Sequence, residues 1–130
     1  MWVIGGSQDI NYPAYNDVWN TDGASPWVCV RINGSSAPFS KRMEHTSLVF
    51  NNNMWIIAGE STNGSSISNL NDVCFNLDDT GSGWACAASN AAFPARHCHT
   101  SVVFKNTMWV IGGYGNNGAL NDVWYAGFTN

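Results

Sequence analysis

Short runs of apolar residues, each four to six residues long, recur along the 130-residue chain and are separated by Asn, Gly, Ser or Pro. The runs are rich in Val, Ile, Trp and Phe, which favour β-strands, whereas the residues between them favour turns. We find no stretch with the 3.6-residue apolar spacing of a long amphipathic helix. The pattern predicts an all-β chain in which tight turns, such as 51–53 and 105–107, join neighbouring strands.

The apolar runs belong to an internal repeat. The motif Met-Trp-x-Ile-x-Gly begins at Met1, Met54 and Met108, with offsets of 53 and 54 residues. Asn-Asp-Val follows each of these motifs, Trp-x-Cys occurs twice, and the segment 39–50 returns in similar form as 93–104. Four strand motifs in one order at this period are typical of the blades of a β-propeller.

The repeat unit resembles the kelch repeat. The resemblance rests on the Gly-Gly doublet that ends the second strand, the Trp of the fourth strand and the Arg-x-x-His segment before the first strand. It covers almost the whole chain and departs at two positions, Ala58 in one doublet and Cys74 at an aromatic position. The sequence Asn-Asp-Val-Trp is similar to a kelch subtype of secreted and cell-surface proteins, and to the propeller of galactose oxidase. The resemblance implies a kelch-type β-propeller with four-stranded antiparallel blades.

The chain has room for about two and a half such blades, with predicted strand counts of three, four and three. The predicted blades are A over 1–32, B over 44–88 and an incomplete C over 98–130. Each propeller blade packs against a neighbour on both faces, so the outer faces of the first and last blades would expose apolar surface. The sequence therefore predicts a fragment that packs against the remaining blades of a larger propeller. The alternative is a short natural chain that assembles with neighbouring chains.

Composition and charge exclude several function classes. Only 11% of the residues are charged, the net charge is −4, and Lys and Arg form no cluster. A nucleic-acid ligand is therefore not expected, because phosphate binding needs a basic surface. The longest apolar runs, such as 54–58, are too short to span a bilayer. There is no C-x-x-C pair and no phosphate-binding loop, and no cofactor is expected.

The cysteines fall on predicted strands. Cys74 lies on the third strand and Cys86 on the fourth strand of the same blade. These strands are neighbours, so a disulfide is geometrically possible, and two buried thiols are the alternative. Cys29 and Cys98 lie on different blades and at different strand positions, which predicts that they do not pair.

Two glycosylation sequons, at Asn33 and Asn63, lie in predicted loops. The loop between the second and third strands and the connection between blades emerge on the same face of a blade, so both sequons are expected on one face. Together with the cysteines, they predict a secreted or cell-surface protein, with a cytoplasmic location as the alternative.

Several polar residues recur within the repeat and are interpreted as framework. In the cluster His97-Cys98-His99, two imidazoles would lie on one side of a strand, but His99 matches His45 in the repeat, and packing is the preferred interpretation over a metal site. The Asp of each Asn-Asp-Val motif is predicted to accept N–H groups of a turn. Arg42 and Arg96 precede first strands, where they either bind neighbouring backbone and carboxylates or face a ligand.

Two functions follow as hypotheses. The first is a non-catalytic module that recognises a protein or a glycan through the loops between second and third strands and between blades, because variable loops on a rigid scaffold often carry binding. The candidate contact residues are Tyr12, Tyr15, Arg42, Arg96, His97, Tyr114 and Asn116. The alternative is part of a propeller enzyme, of the galactose oxidase or sialic-acid-metabolising kind, with catalytic residues mostly outside this segment.

Overall fold

A computed structural model describes residues 1–9, 11, 13–34, 38–63 and 65–127. Within these ranges the chain forms eleven β-strands and no α-helix, so no helix that could cross a lipid bilayer occurs there. The predicted all-β fold is confirmed. The strands are β1 (Trp2–Gly6), β2 (Tyr15–Asn20), β3 (Val28–Arg31), β4 (Thr46–Phe50), β5 (Asn53–Thr62), β6 (Ile67–Asn76), β7 (Trp84–Ala88), β8 (Arg96–His97), β9 (Thr100–Phe104), β10 (Thr107–Gly115) and β11 (Gly118–Gly127).

Three antiparallel sheets follow one another along the chain as blades. Blade 1 has the order β1-β2-β3, blade 2 has β4-β5-β6-β7, and blade 3 has β11-β10 with both β8 and β9 paired to β10. Because β8 and β9 pair with successive stretches of β10 and form one split inner strand, the blades have the predicted three, four and three strand positions. The part β8 has two residues and precedes the predicted start of blade C at residue 98.

The inner strand of blade 3 is split at Cys98, which has a φ of 52°. Blade 2 has the same interruption at Glu44, with a φ of 54°, after Met43 pairs with Glu60 in an isolated bridge. A left-handed backbone at a non-glycine residue breaks the strand ladder and turns the chain. The backbone N–H of Cys98 donates a hydrogen bond to the carbonyl of Glu44 over 3.1 Å, so the two interruptions lie against each other.

The predicted tight turns are two-residue hairpins. Asn51 and Asn52 have φ values of 49° and 61°, and Lys105 and Asn106 have 49° and 55°. Positive φ at both central residues matches the right-handed twist of the strands, and Asn adopts it more readily than most residues. Blades 2 and 3 therefore both open with a short antiparallel hairpin.

Apolar side chains fill the spaces between successive blades. Blade 1 packs on blade 2 through Val18 and Ile56, with Phe39 from the connecting segment between them. Blade 2 packs on blade 3 through Ile57 and Val110 in the corresponding way, and Phe93 takes the place of Phe39. The aromatic ring of each connecting segment thus fills the wedge between two sheets.

The outer face of blade 3 is apolar and exposed. Ile111, Val123 and Tyr125 on this face are 41%, 56% and 71% exposed. Ile57 occupies in blade 2 the repeat position of Ile111, and there blade 3 reduces its exposure to 1%. The outer face of blade 3 thus has the surface that the repeat uses to bind the next blade, as the sequence predicts for the end of a propeller segment.

Cys74 and Cys86 form a disulfide between β6 and β7. The two residues face each other in the strand register, so the predicted bridge across neighbouring strands is confirmed. Cys29 and Cys98 carry free thiols, as expected from their separate blades.

Candidate functional site

The two repeat arginines are completely buried. The guanidinium of Arg42 donates two hydrogen bonds to the carboxylate of Asp72, over 2.6 and 2.7 Å, and a third to the carbonyl of Ala58 over 2.9 Å. Arg96 repeats this arrangement with Asp122, over 2.7 and 2.8 Å, and with a glycine carbonyl. Both arginines have 0% exposure. A fork-like pair of this kind is the strongest side-chain hydrogen bonding that proteins use.

This placement corrects two expectations. Arg42 and Arg96 have no exposed surface with which to contact a ligand, so their role in this segment is structural. The predicted role of the aspartates as acceptors of turn N–H groups is also wrong, because Asp72 and Asp122 accept from guanidinium groups instead. Arg96 lowers the pKa of Asp122 well below its usual value, mainly through these hydrogen bonds.

The repeat histidines connect neighbouring blades. His45 packs on the Gly59 backbone so closely that a Cβ added there would lie 2.7 Å from the His45 Cβ. The ring reaches the backbone of Ile4 in blade 1, and His99 likewise reaches Ile57 in blade 2. Burial lowers the pKa of both imidazoles to about 4, with a further contribution from a neighbouring arginine. Both rings are therefore neutral at pH 7, and the prediction that these positions serve packing agrees with their burial.

A polar cluster lies where blades 2 and 3 meet. We call it the junction cluster; it consists of Glu44, Glu60, Asn69, His97 and Cys98. The imidazole Nε2 of His97 lies 3.8 Å from Oε2 of Glu44, and its Nδ1 lies 3.6 Å from Oε2 of Glu60. The thiol of Cys98 donates a hydrogen bond to Oε2 of Glu44 over 3.3 Å. The carboxylate of Glu44, the thiol of Cys98 and the imidazole of His97 thus lie together, and the carboxylate of Glu60 lies on the other side of the ring.

Hydrogen bonds extend the junction cluster to the tips of the long hairpins. Oδ1 of Asn69 lies 2.7 Å from Nδ1 of His97. Nδ2 of Asn69 donates a hydrogen bond to Oδ1 of Asn116 over 2.8 Å. The ring of Tyr114 lies 5.7 Å from the imidazole of His97 and is 52% exposed. His97, Tyr114 and Asn116, three of the predicted contact residues, are therefore brought together.

The other predicted contact residues lie elsewhere. Tyr15 begins β2 and is half-buried, and its carbonyl accepts a hydrogen bond from the backbone N–H of Arg42 over 3.0 Å. Tyr12 lies outside the described residues. Asn63 of the second sequon is exposed near the turn between β5 and β6, and Asn33 accepts a hydrogen bond from the backbone N–H at the start of β2.

The predicted loops around the junction cluster are largely strand. The sequence predicts loops between the second and third strands, yet β5 extends to Thr62 and β10 to Gly115 before the chain turns. Strand pairing continues up to the Gly115–Gly118 pair. Glu60 and Asn69 therefore project from a hydrogen-bonded hairpin, whereas Glu44 and Cys98 lie at the interruptions of the inner strands.

Sequence analysis missed Glu44, Glu60 and Asn69. Their signal is a departure from the repeat: Glu44 stands where the next blade has Cys98, and Glu60 stands where it has Tyr114. Positions that the framework does not fix are free to serve a site. The meeting of these residues depends on the strand interruptions, which have no signature in the apolar pattern.

The carboxylates dominate the electrostatics of the junction cluster. The pKa of the Cys98 thiol is raised, first by desolvation and then by its hydrogen bond to Glu44 and the charges of Glu44 and Glu60. The thiol is therefore kept protonated, and the cluster presents negative charge beside an exposed phenol ring. Such a site favours cations and cationic side chains.

Comparison with known proteins agrees with this architecture. The family model described as the KLHDC2/KLHL20/DRC7 Kelch-repeats domain matches residues 1–130. The chain is 28% identical to a leucine-zipper-like transcriptional regulator 1 homolog of Drosophila melanogaster, over 99% of this chain and 13% of that protein. It is 26% identical to the dynein alpha chain of the flagellar outer arm of Chlamydomonas reinhardtii, over 95% of this chain and 3% of that protein. The repeat, the blades and these matches together show that the chain belongs to the kelch-repeat family.

Proposed function

We propose that this segment recognises a protein partner through the face that carries the β5–β6 and β10–β11 turns, with Tyr114 as the central contact. The observation that carries the proposal is the exposed Tyr114 ring above the junction cluster. Kelch domains are interaction modules of larger propellers, and this chain supplies one stretch of such a propeller.

The proposed contact surface combines rigidity with exposure. Asn69 links His97 to Asn116, so the polar groups around Tyr114 are held in place before a partner arrives. An aromatic residue supported in this way is a typical energetic centre of an interface, because little conformational freedom is lost on binding. Charge complementarity favours a partner that inserts Lys or Arg beside Glu44 and Glu60.

Site-specific photo-crosslinking tests the proposed face. A photoreactive amino acid at position 114 is expected to crosslink a protein in extracts of the producing cells, and the same amino acid at Leu77 serves as the control. Leu77 is exposed and follows β6, on the opposite face. The crosslinked protein is then identified and purified, and its affinity for the variants is measured.

Tyr114→Ala is expected to weaken that binding at least tenfold, whereas Leu77→Ala leaves it unchanged. Equal crosslinking from both positions, or binding that depends on Leu77 instead of Tyr114, would overturn the proposal. Binding of the protein to a glycan array, lost with Tyr114→Ala, would replace the protein partner with a glycan.

A secreted or cell-surface location is part of the proposal. The Cys74–Cys86 disulfide and the exposed Asn63 support it, because disulfides persist in oxidising compartments. Protein isolated from its native cells is expected to carry the bridge and an N-glycan on Asn63, and mass spectrometry before and after glycosidase treatment measures both. An unmodified Asn63 together with reduced Cys74 and Cys86 would contradict this location.

A further inference from the structure

We propose that Glu44, His97 and Cys98 bind a zinc ion across the junction of blades 2 and 3, with one coordination position open to solvent. The ligand atoms of these three side chains all lie within 4.8 Å of one another. The proposal concerns the purified segment alone and does not depend on any partner at Tyr114.

The distances between the three groups fit a tetrahedral ion. Zinc bonds of about 2.0 to 2.3 Å place tetrahedral ligand atoms roughly 3.3 to 3.8 Å apart. Oε2 of Glu44 lies 3.8 Å from Nε2 of His97 and 3.3 Å from the sulfur of Cys98. Small rotations of the exposed Glu44 and Cys98 side chains are therefore enough to surround the ion.

Asn69 supplies an independent indication that His97 is arranged as a ligand. Its Oδ1 accepts from Nδ1–H of His97 over 2.7 Å, in the tautomer that leaves the lone pair on Nε2. That lone pair faces the carboxylate of Glu44, so two acceptor atoms approach each other and a cation between them would satisfy both. Metal-bound histidines commonly donate their other N–H to such a neighbouring group.

Charge and ligand type both select zinc. The carboxylate, the thiolate and the neutral imidazole together balance a divalent cation, and the thiol proton is released when the ion binds. A mixed sulfur, nitrogen and oxygen set suits zinc better than magnesium or calcium, which prefer oxygen alone. Glu60 adds negative charge 3.6 Å from Nδ1 of His97, which strengthens the attraction for the cation.

The backbone holds the ligands in position. Glu44 and Cys98 both have left-handed φ values, and the N–H of Cys98 is bonded to the carbonyl of Glu44. Strained backbone at non-glycine residues is concentrated at functional sites. Because Glu44 and Cys98 are exposed, a water molecule or a group of another molecule can reach the open position.

Metal titration of the purified protein tests the site. After treatment with a chelator and no reductant, so that the Cys74–Cys86 disulfide stays closed, the protein is expected to bind one zinc ion by calorimetry. Cobalt(II) is expected to give a thiolate-to-metal charge-transfer band and the intense visible bands of a tetrahedral site. Cys98→Ser should abolish the charge-transfer band, and His97→Gln and Glu44→Gln should each weaken zinc binding at least tenfold.

Two further variants separate a ligand role from a structural role. Asn69→Ala is expected to weaken zinc binding about 10- to 100-fold while the tetrahedral cobalt spectrum remains. Cys29→Ser, which removes the other free thiol, should leave affinity and spectrum unchanged. Circular dichroism confirms that each variant is folded. Absence of binding by the folded wild-type protein, or a charge-transfer band that disappears with Cys29→Ser instead of Cys98→Ser, would overturn the proposal.

Discussion

Asp72→Asn is expected to lower the free energy of unfolding by roughly 3 to 5 kcal/mol. The substitution keeps the size of the side chain but leaves the guanidinium of Arg42 buried without its counter-charge. Arg42 is 0% exposed, and the carboxylate of Asp72 receives two of its hydrogen bonds. The cost is large because a charge that has lost its partner cannot be reached by water. Urea unfolding followed by tryptophan fluorescence measures the loss.

The repeat provides matched controls for this prediction. Asp122→Asn removes the same partner from Arg96, but the Asp122 side chain is 32% exposed, so water can compensate in part and the loss should be smaller. Asp17→Asn should cost least, because Asp17 accepts a hydrogen bond from the indole of Trp19 rather than from an arginine. If Asp72→Asn costs no more than Asp17→Asn, the buried pair does not stabilise the blades as we infer.

The large effect expected at Asp72 follows from the position of the arginine in the repeat. Arg42 comes from the segment that connects blades 1 and 2, its backbone pairs with Tyr15 of blade 1, and its side chain binds Asp72 and Ala58 of blade 2. The ion pair therefore fixes the connecting segment to the blade that follows it. Arg96 pairs with Gly115 of β10 and binds Asp122 and Gly112 of the same blade, so it fixes β8 to the rest of blade 3.

Most of the fold could be predicted because the chain contains two or three copies of each strand motif. The Met-Trp motifs at 1, 54 and 108 begin equivalent second strands, although β5 and β10 extend beyond the apolar runs. The split inner strand could not be predicted, since Glu44 and Cys98 adopt left-handed backbone without being glycine. The backbone of Ala58 could not be predicted for the same reason, because it has a φ of 52° at a position where the other blades have glycine.

The candidate site was harder to predict than the fold, for a physical reason. His97, Tyr114 and Asn116 were identified as candidates on one face, but Glu44 and Glu60 come from the preceding blade and meet them only across the inter-blade junction. The repeat period places equivalent residues in equivalent positions and says nothing about contacts between different positions of adjacent blades. Conversely, Arg42 and Arg96 were candidates because they precede the first strands, and their burial depends on aspartates 30 and 26 residues away.

Acidification from pH 7 to about pH 4.5 is expected to destabilise the protein, because His45 and His99 are held neutral in the folded state. The pKa of His45 falls from 6.5 to about 4 on folding. In this pH range the unfolded chain takes up a proton that the folded protein excludes. The contribution of the neutral ring to the free energy of unfolding is therefore fully present above pH 6.5 and is lost as the pH falls toward 4.

The shift in the pKa of His45 corresponds to about 3 kcal/mol over the whole window, at roughly 1.4 kcal/mol per pH unit, and His99 adds a further loss of the same sign. Urea unfolding at a series of pH values measures the slope. His45→Gln is expected to reduce the pH dependence while lowering stability at pH 7, because the ring fills the space between Gly59 and blade 1. A His45→Gln protein that retains the full wild-type slope would show that the buried imidazoles do not cause the acid sensitivity.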